Sequence, residues 1–421
     1  MDTKEELIPL MIKSKGIKRP SASRQVCMLV ACMYLHFMSL GFSFSLGVIY
    51  VELLRYFETE KSVATLVQSF YQGLTAMGGV AFSGAVTKYS AGGPVLVATT
   101  VGAGSLFLSA WSVNIYMVIA CVGILGGLCM SVNYLCGFVV VGWIFQKNRR
   151  SAIAVLTMAT AASQTVSPIL IGALIDTYGW QGTMIIASGL MLNAIPCGLL
   201  LLKSRQYFNV ADNRGEIRLK VCECNTGQDI AFTIFVGVCA AYNGTGAVEA
   251  WFIVDLSTQR GYTRQAGTAL LSVMGALGLV GRAVGTLFLK VCHSYSPTIP
   301  MAIAFISFAA SHLLVISFTP YLAMLGGALL RGLSVGLLMA LQQVMLLELR
   351  DIDRFPTALA ICNCFIGISQ IACGYLGGMI ADVTGGYDLA FYIASGTATT
   401  CGICMLLIQC LVRVGSNDKG L

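Results

Sequence analysis

The sequence predicts an all-α membrane protein with twelve transmembrane helices arranged as two six-helix halves. Its 421 residues are 57% hydrophobic and only 11% charged, with a mean hydropathy of +0.79, which is more apolar surface than a water-soluble domain buries. Several apolar runs exceed the roughly 18 to 20 residues that a helix needs to cross about 30 Å of hydrocarbon. These long unbroken runs also exclude a transmembrane β-barrel, whose strands are short and alternating.

Each predicted span is an apolar run bounded by polar or charged residues. In the first half the runs lie at 26–53, 62–86, 94–113, 115–145, 152–175 and 180–202. In the second half they lie at 229–256, 265–291, 297–318, 321–349, 355–381 and 388–412. The predicted organisation is therefore an N-terminal tail 1–25, an N-terminal half 26–202, a central loop 203–228, a C-terminal half 229–412 and a C-terminal tail 413–421.

The distribution of lysine and arginine predicts the orientation of the spans. With the N-terminus inside, twenty of the 26 basic residues fall in cytoplasmic segments and four fall outside. Because basic loops are retained in the cytoplasm, both termini are predicted to be cytoplasmic. The net charge of +7 is spread over short loops without an aromatic and basic stripe, so the predicted partner is the lipid bilayer and not nucleic acid.

A weak internal repeat supports the division into halves. Gly127 and Leu128 in the fourth predicted span recur as Gly332 and Leu333 in the tenth. A longer match, again about half the chain apart, pairs Gly172, Asp176, Trp180, Ile186, Ala187 and Ser188 with Gly378, Asp382, Tyr387, Ile393, Ala394 and Ser395. Chance similarity between apolar helices is the alternative explanation. Two six-helix halves are the arrangement of major facilitator transporters, in which one half rocks against the other.

Ionisable residues inside the spans are the first candidates for a functional site, because a charge at the membrane centre costs at least about 2.5 to 3.5 kcal/mol. The rise of a helix places His36 and Arg331 near the midplane and Arg282 towards the cytoplasmic side. Gly281 and Gly285 flank Arg282 and are expected to leave space for its guanidinium to bind a carboxylate through two hydrogen bonds. The alternative is an arginine that extends towards the lipid headgroups.

The other candidates each keep two interpretations. Arg331 is either a second anion contact or a structural partner of a helix end. His36 is either a neutral core histidine bonded to the backbone or a proton relay. Glu249, a turn or two from the outer end of its span, is either a protonatable buried group or a solvated carboxylate in a vestibule. Asn133 and Gln164 either line a cavity or join helices by hydrogen bonds.

No enzyme is predicted, because the sequence has no phosphate-binding glycine loop, no paired-histidine metal helix and no nucleophile elbow. It predicts no catalytic residue, no metal ion and no cofactor. It also lacks the signature of a channel selectivity filter. Two functions remain: a carrier of a small solute and, as the alternative, a non-transporting receptor-like or assembly protein that keeps the fold.

Three segments, before the fifth, sixth and twelfth predicted spans, have distinctive sequence motifs. Before the fifth span the chain reads Ile144, Phe145, Gln146, Lys147, Asn148 and Arg149, followed by Ala152. Before the sixth it reads Gly179, Trp180, Gln181, Gly182 and Thr183, and before the twelfth it contains Asp382, Gly385, Tyr387, Asp388, Phe391 and Tyr392. With these motifs, nearly all of 26–412 resembles the monocarboxylate transporter family, although Gln181 replaces the arginine of the family motif.

The resemblance implies a major facilitator fold and transport of small monocarboxylates or related organic anions or zwitterions across the plasma membrane, with Arg282 engaging the carboxylate. Two departures concern proton coupling. Proton-coupled members carry an aspartate one turn before that arginine, where this chain has Gly278, and a lysine in the first span, where it has none. Facilitated transport, protons or another coupling ion therefore stay open. Family members often travel with a single-span immunoglobulin-type ancillary protein, and no residue here identifies that contact.

Overall fold

A computed structural model describes residues 20–145, 149–207, 226–291, 296–350 and 355–417. Within these ranges all regular secondary structure is helical. Most of the predicted tails and central loop, and the motif residues Gln146, Lys147 and Asn148, lie outside the described residues. The boundaries assigned to those segments stay predictions.

The N-terminal half crosses the bundle six times. Its helices are α1 Ala22–His36, α2 Phe42–Phe57, α3 Lys61–Tyr89, α4 Gly92–Ser109, α5 Ile115–Val118, α6 Gly127–Ile144, α7 Arg149–Leu192 and α8 Ala194–Leu201. The π-helical segments Phe37–Gly41 and Ile119–Gly126 join α1 to α2 and α5 to α6, so each pair forms one crossing. Helix α7 holds two crossings, because Gly179 adopts a left-handed φ of 66° and turns the chain.

The C-terminal half uses one helix for each crossing. These helices are α9 Thr226–Gln259, α10 Arg264–Val291, α11 Thr298–Ser317, α12 Tyr321–Leu349, α13 Phe355–Thr384 and α14 Asp388–Asn417. Across the described ranges, ten helical runs are long and apolar enough to cross a bilayer. One of them, Ala152–Leu201, contains two crossings, and α3 supplies the twelfth.

Helix α3 is less apolar than the other crossings because it lies inside the bundle. Its 29 residues extend about 43 Å, enough to cross a bilayer. Polar side chains in the first half of α3 are buried against other helices rather than exposed to lipid, and they include Thr65, Gln68, Ser69, Gln72 and Thr75. One of them, Gln72, accepts a hydrogen bond from the Trp251 indole of α9 at 3.1 Å, so α3 contributes to the boundary between the halves.

The two halves share one apolar core at the distal end of the bundle, defined as the end opposite the two termini. This shared core joins residues of α2, α3 and α7 to residues of α9, α10 and α12. At the opposite, proximal end each half has its own core, one built by α1, α4 and α6 and one built by α9, α11, α12 and α14. The halves are therefore packed together most closely at the distal end.

Glycines allow the halves to approach at three helix crossings. A Cβ on Gly47 of α2 would lie 2.9 Å from the Ala250 carbonyl oxygen of α9. A Cβ on Gly367 of α13 would lie 2.5 Å from the Gly73 oxygen of α3. At the third crossing, a Cβ on Gly275 of α10 would lie 2.5 Å from the backbone of α7. Backbone meets backbone at these points, which is how small residues act between membrane helices.

The internal repeat corresponds to equivalent contacts between the halves. Asp382, at the end of α13, accepts hydrogen bonds from the backbone N–H groups of Lys61 and Ser62 at the start of α3, both at 2.8 Å. Asp176, its counterpart in α7, pairs with Arg264 at the start of α10. Each repeat thus places a carboxylate on the first turn of a helix in the other half, where helix N–H groups and basic side chains favour it.

Arg264 extends the second of these contacts. Its guanidinium also donates to Glu52 of α2 at 2.5 Å, so one cation of the C-terminal half holds two carboxylates of the N-terminal half. Nearby, the Tyr387 hydroxyl donates to Asp255 at 2.5 Å and lies 3.2 Å from the Tyr50 hydroxyl. Together with the shared core, these polar contacts close the distal end.

Candidate functional site

A small cavity lies where α7, α10 and α12 meet, between the two halves. It is lined by Phe44, Gln164, Leu271, Met274, Gly275, Gly278, Arg282, Arg331, Gly332, Val335 and Gly336. Three of the sequence-predicted site residues, Arg282, Arg331 and Gln164, therefore share one cavity. Two guanidinium groups and one amide on otherwise apolar walls form a site suited to a small anion.

Arg282 connects the halves through a backbone carbonyl. Its side chain is half-buried, and Nη1 donates to the Thr157 carbonyl oxygen of α7 at 2.7 Å. The expectation that its flanking glycines leave room for the guanidinium is wrong. A Cβ on Gly281 would lie 2.3 Å from the Leu333 oxygen, and one on Gly285 would lie 2.7 Å from the Ala340 Cβ. Both glycines instead allow α10 to pack closely on α12.

Gly278 opens one wall of the cavity. A Cβ at this position would have only ordinary contacts, 3.7 Å from the Gly332 oxygen and 3.9 Å from the Gln164 Oε1. It lies one helical turn before Arg282, so the space beside the arginine is shaped by Gln164 from the other half. The neutral Gln164 amide therefore lies beside residue 278. A carboxylate side chain at residue 278 would compete with a bound anion for Arg282.

His36 and Asn133 lie apart from the residues that line this cavity. The buried His36 ring packs against Tyr134 and Phe138, with ring centroids 4.9 and 4.7 Å apart, and it sits over Gly137. The aromatic neighbours favour a packing role for His36 over a proton relay. Tyr134 itself lies within electrostatic range of Arg282, so the aromatic cluster borders the site without lining the cavity. Asn133 immediately precedes Tyr134 on α6 and is also buried.

Glu249 belongs to a buried cluster of three ionisable side chains. Its Oε2 lies 3.4 Å from Arg331 Nε and 3.3 Å from His312 Nε2. The side chains of Glu249 and His312 are fully buried, and that of Arg331 is 6% exposed. The interpretation of Glu249 as a solvated vestibule carboxylate is therefore wrong, because α11 and α12 cover it. Its cationic partner is Arg331 of α12.

Arg331 belongs both to this cluster and to the cavity. Its Nη2 donates to the Gly246 carbonyl oxygen at 2.9 Å and its Nη1 contacts the Met274 sulfur at 3.4 Å. Gly246 lies on α9 and Met274 on α10, so the guanidinium is held between three helices of the C-terminal half. The structural and anion-binding interpretations of Arg331 are thus compatible, since one face meets Glu249 and the cavity lies beside it.

Sequence reasoning missed His312, one of the three histidines of the chain. The signal was available: an ionisable residue inside an apolar span, within two turns of the distal end of α11. Glu249 and Arg331 each lie about ten residues from the distal ends of their helices, α9 and α12, so these two share a similar depth. As for metals, no group of three histidine, cysteine or acidic side chains is arranged to hold an ion within the described ranges.

Two six-crossing halves with a cavity between them are the architecture of the major facilitator fold, and sequence comparison agrees. The chain belongs to the Major Facilitator Superfamily, whose family model matches residues 32–300. Fold and family together confirm the predicted major facilitator fold of a multi-pass membrane protein, and they assign the chain to a class of transporters rather than enzymes.

The curated proteins that resemble this chain over most of its length include several monocarboxylate transporters. Monocarboxylate transporter 6 of Mus musculus is 23% identical over 381 residues, covering 85% of this chain and 81% of the relative. Monocarboxylate transporter 3 of Rattus norvegicus is 22% identical over 422 residues, covering 96% and 84%. Monocarboxylate transporter 4 of Mus musculus is 23% identical over 407 residues, covering 93% and 84%. The resemblance predicted from the motifs is confirmed.

Solved structures support the fold. The crystal structure of peptide transporter POT in complex with sulfate matches with a TM-score of 0.74 at 11% identity, covering 92% of this chain and 95% of that one. A POT family transporter in complex with 5-aminolevulinic acid matches with a TM-score of 0.75 at 12% identity, covering 90% and 95%. At this level of identity the likeness concerns the architecture alone.

Proposed function

We propose that this protein carries small monocarboxylates, or related organic anions or zwitterions, across the plasma membrane by alternating access. The observation that carries the proposal is Arg282 in a cavity between the halves, together with Arg331 and Gln164. A cationic site with apolar walls attracts an anion strongly, because low-dielectric surroundings strengthen electrostatic interactions.

In this mechanism the Arg282 guanidinium gives up its hydrogen bond to the Thr157 carbonyl oxygen and donates to the substrate carboxylate instead. The Thr157 carbonyl, which now accepts from Nη1 at 2.7 Å, is neutral and accepts a single hydrogen bond. A carboxylate accepts two parallel bonds from a guanidinium, and such charge-assisted bonds are roughly twice as strong as neutral ones. Substrate binding therefore removes a contact between α10 and α7 and favours relative movement of the halves.

Alternating access requires that one end of the cavity close while the other opens. The distal end is closed by the shared apolar core and by the contacts of Arg264 and Asp382. With both termini in the cytoplasm, as the basic residues predict, this distal end faces outside. The described conformation then corresponds to the stage of the cycle at which the outer path is shut.

The first experiment is an uptake assay with purified protein in liposomes. Labelled monocarboxylates, amino acids, carnitine-like and creatine-like solutes are offered one at a time, with and without a proton gradient. The proposal expects saturable uptake of at least one carboxylate and competition by other small carboxylates. If correctly folded protein moves no solute of the panel, the receptor-like alternative is favoured instead.

The Arg282 assignment has a sharper test with a matched control. Arg282→Lys keeps the charge but removes the two-pronged donor geometry, so uptake is expected to fall by at least about tenfold. Arg260→Lys is the control, because Arg260 bonds to backbone carbonyls of its own half, Val315 at 2.7 Å and Phe318 at 3.1 Å. Wild-type uptake by Arg282→Lys, or equal losses in both variants, would contradict the assignment.

A further inference from the structure

We propose that Glu249 and His312 form a proton-binding site that drives transport, beside but separate from the substrate cavity. This inference rests on the proposed transport function and names its coupling ion. It places the proton site at the contact of α9, α11 and α12, not at the span-one lysine and span-eight aspartate positions that the proton-coupled relatives use. Neither of those two residue types is present at the corresponding place in this chain.

The hydrogen-bond geometry of His312 carries the first step. Its Nδ1 lies 2.8 Å from the Phe308 carbonyl oxygen, and a carbonyl only accepts, so Nδ1 must carry the hydrogen of that bond. In a neutral imidazole the other nitrogen, Nε2, then has a lone pair. Nε2 lies 3.3 Å from Oε2 of the Glu249 carboxylate, and neither of these two buried atoms makes a hydrogen bond.

Two acceptors facing each other define a place for one proton. A carboxylate and an imidazole lone pair repel, whereas a proton on either Glu249 or His312 makes the contact attractive and supplies the donor that a hydrogen bond between the two side chains needs. Both side chains are fully buried, so water does not relieve the repulsion. The pair is therefore built to gain one proton, which the two residues share.

The surroundings leave this proton to the Glu249 and His312 pair. Within the described ranges, the charged side chain that contacts Glu249 apart from His312 is Arg331 of α12, and Ser311 of α11 adds a hydroxyl beside the carboxylate. Other titratable groups of the neighbouring helices contact α9 at residues other than Glu249. Towards the distal end, Tyr387 bonds to Asp255 and to Tyr50. Towards the proximal end, the groups near α9 are Arg282 beside Tyr242, Cys373 beside Gly244, Cys362 beside Cys239 and Cys401 beside Val238. Phe391 of α14 and Phe308 shield the histidine ring.

Arg331 links the proton to the substrate. While Glu249 is ionised, its charge balances that of Arg331 at 3.4 Å. Once Glu249 takes up the proton, the Arg331 guanidinium is no longer balanced and can attract an anion in the cavity that it lines. Proton binding thus precedes substrate binding and strengthens it, which is the linkage that cotransport requires.

The net charge of the site supports the same order. Arg282, Arg331 and ionised Glu249 together carry one positive charge. A bound anion alone makes the site neutral, and anion plus proton restore one positive charge. The empty and the fully loaded site therefore have equal charge. The membrane potential then acts equally on the movement of the empty and of the loaded protein. Cotransport of one proton with one monovalent anion is predicted to be electroneutral.

The experiment makes two measurements on the purified protein in liposomes: accumulation of substrate driven by a pH gradient, and exchange of internal for external substrate. The substrate is the carboxylate that the panel of labelled solutes identifies. An imposed gradient of one pH unit is expected to accumulate substrate up to about tenfold in the wild type. Glu249→Gln, which imitates the protonated side chain, is expected to accumulate none while still exchanging internal for external substrate. Its exchange should also be independent of pH, whereas wild-type exchange should fall as pH rises.

Glu348→Gln is the matched control, because it makes the same change at an exposed position of α12. Gradient-driven accumulation by Glu249→Gln equal to that of the control overturns the proposal. Substrate exchange by the wild type without any accumulation in a pH gradient also overturns it, while leaving the transport function intact.

A measurement that needs no substrate separates the two proposals. Infrared titration of the wild type is expected to show a protonated-carboxyl band that is absent from Glu249→Gln and shifted in titration midpoint by His312→Gln. If no solute of the panel is transported, the transport function fails and the infrared result alone decides the proton site. A band that is identical in the wild type and Glu249→Gln overturns that site.

Discussion

Arg264 provides the most direct test of how the halves are held together. It is a residue of the C-terminal half whose side chain is 14% exposed, and it contacts Glu52 and Asp176 of the N-terminal half. Arg264→Gln removes the cation and leaves two carboxylates near each other at the closed distal end. The change weakens the closed form specifically, because these contacts cannot persist once the halves separate there.

The size of the effect follows from distance and exposure. At 2.5 Å and an effective dielectric constant of about 20, the attraction between Arg264 and Glu52 is about 6 to 7 kcal/mol before desolvation is subtracted. Exposed pairs contribute about 0.2 to 1 kcal/mol net, and breaking a buried pair costs about 3 to 5 kcal/mol. With partners that are 22% and 43% exposed, we expect about 1 to 3 kcal/mol. That corresponds to a shift of roughly 5- to 150-fold towards distal opening.

The assay measures the distance between the halves at the distal end. Spin-labelled non-natural residues at the exposed positions Val113 and Val383 report the separation by pulsed electron resonance. Arg264→Gln is expected to add a population with longer distances. Arg260→Gln is the control, because its backbone contacts lie within the C-terminal half. An unchanged distance distribution in Arg264→Gln, or equal opening in the control, would refute the reasoning.

Three further predictions concern single positions. Gly278→Asp is expected to fold normally and to raise the KM for substrate by about tenfold, because its carboxylate would lie one turn from Arg282; uptake kinetics check this. Gly367→Val is expected to destabilise the protein by about 1 to 3 kcal/mol, since its Cβ would lie 2.5 Å from the Gly73 oxygen; thermal unfolding in detergent measures it. Asp382→Asn is expected to cost about 1 kcal/mol at the first turn of α3 and to increase distal opening in the distance assay.

Much of the fold follows from patterns that the sequence contains. Hydropathy locates all twelve crossings as apolar runs, since a lipid-facing helix must be apolar along most of its length. Helix α3 gives the weakest hydropathy signal, because it carries polar side chains that are buried by helices which the sequence does not place beside it. The π-helical segments Phe37–Gly41 and Ile119–Gly126 have no sequence signature, since they depend on how neighbouring crossings pack.

The candidate site was predictable residue by residue but not as an arrangement. The cost of intramembrane charge indicates Arg282, Arg331 and Glu249 separately. Depth along a helix could not reveal that α11 and α12 bury Glu249, because burial depends on neighbours and not on distance from a span end. Gly281 was misinterpreted for the same reason, since the sequence does not say which helix it faces.

The two halves divide the work unequally although their repeats are related. The aspartate contacts at the distal end occur in both directions, from α13 to α3 and from α7 to α10. The intramembrane charges Glu249, Arg282 and Arg331, by contrast, all lie in the C-terminal half. The N-terminal half contributes the Thr157 carbonyl and the Gln164 amide, neutral groups that a bound anion displaces or contacts. A site that is charged on one side and neutral on the other lets substrate stay with one half while the other moves, so the α7 and α10 crossing is where binding and movement meet.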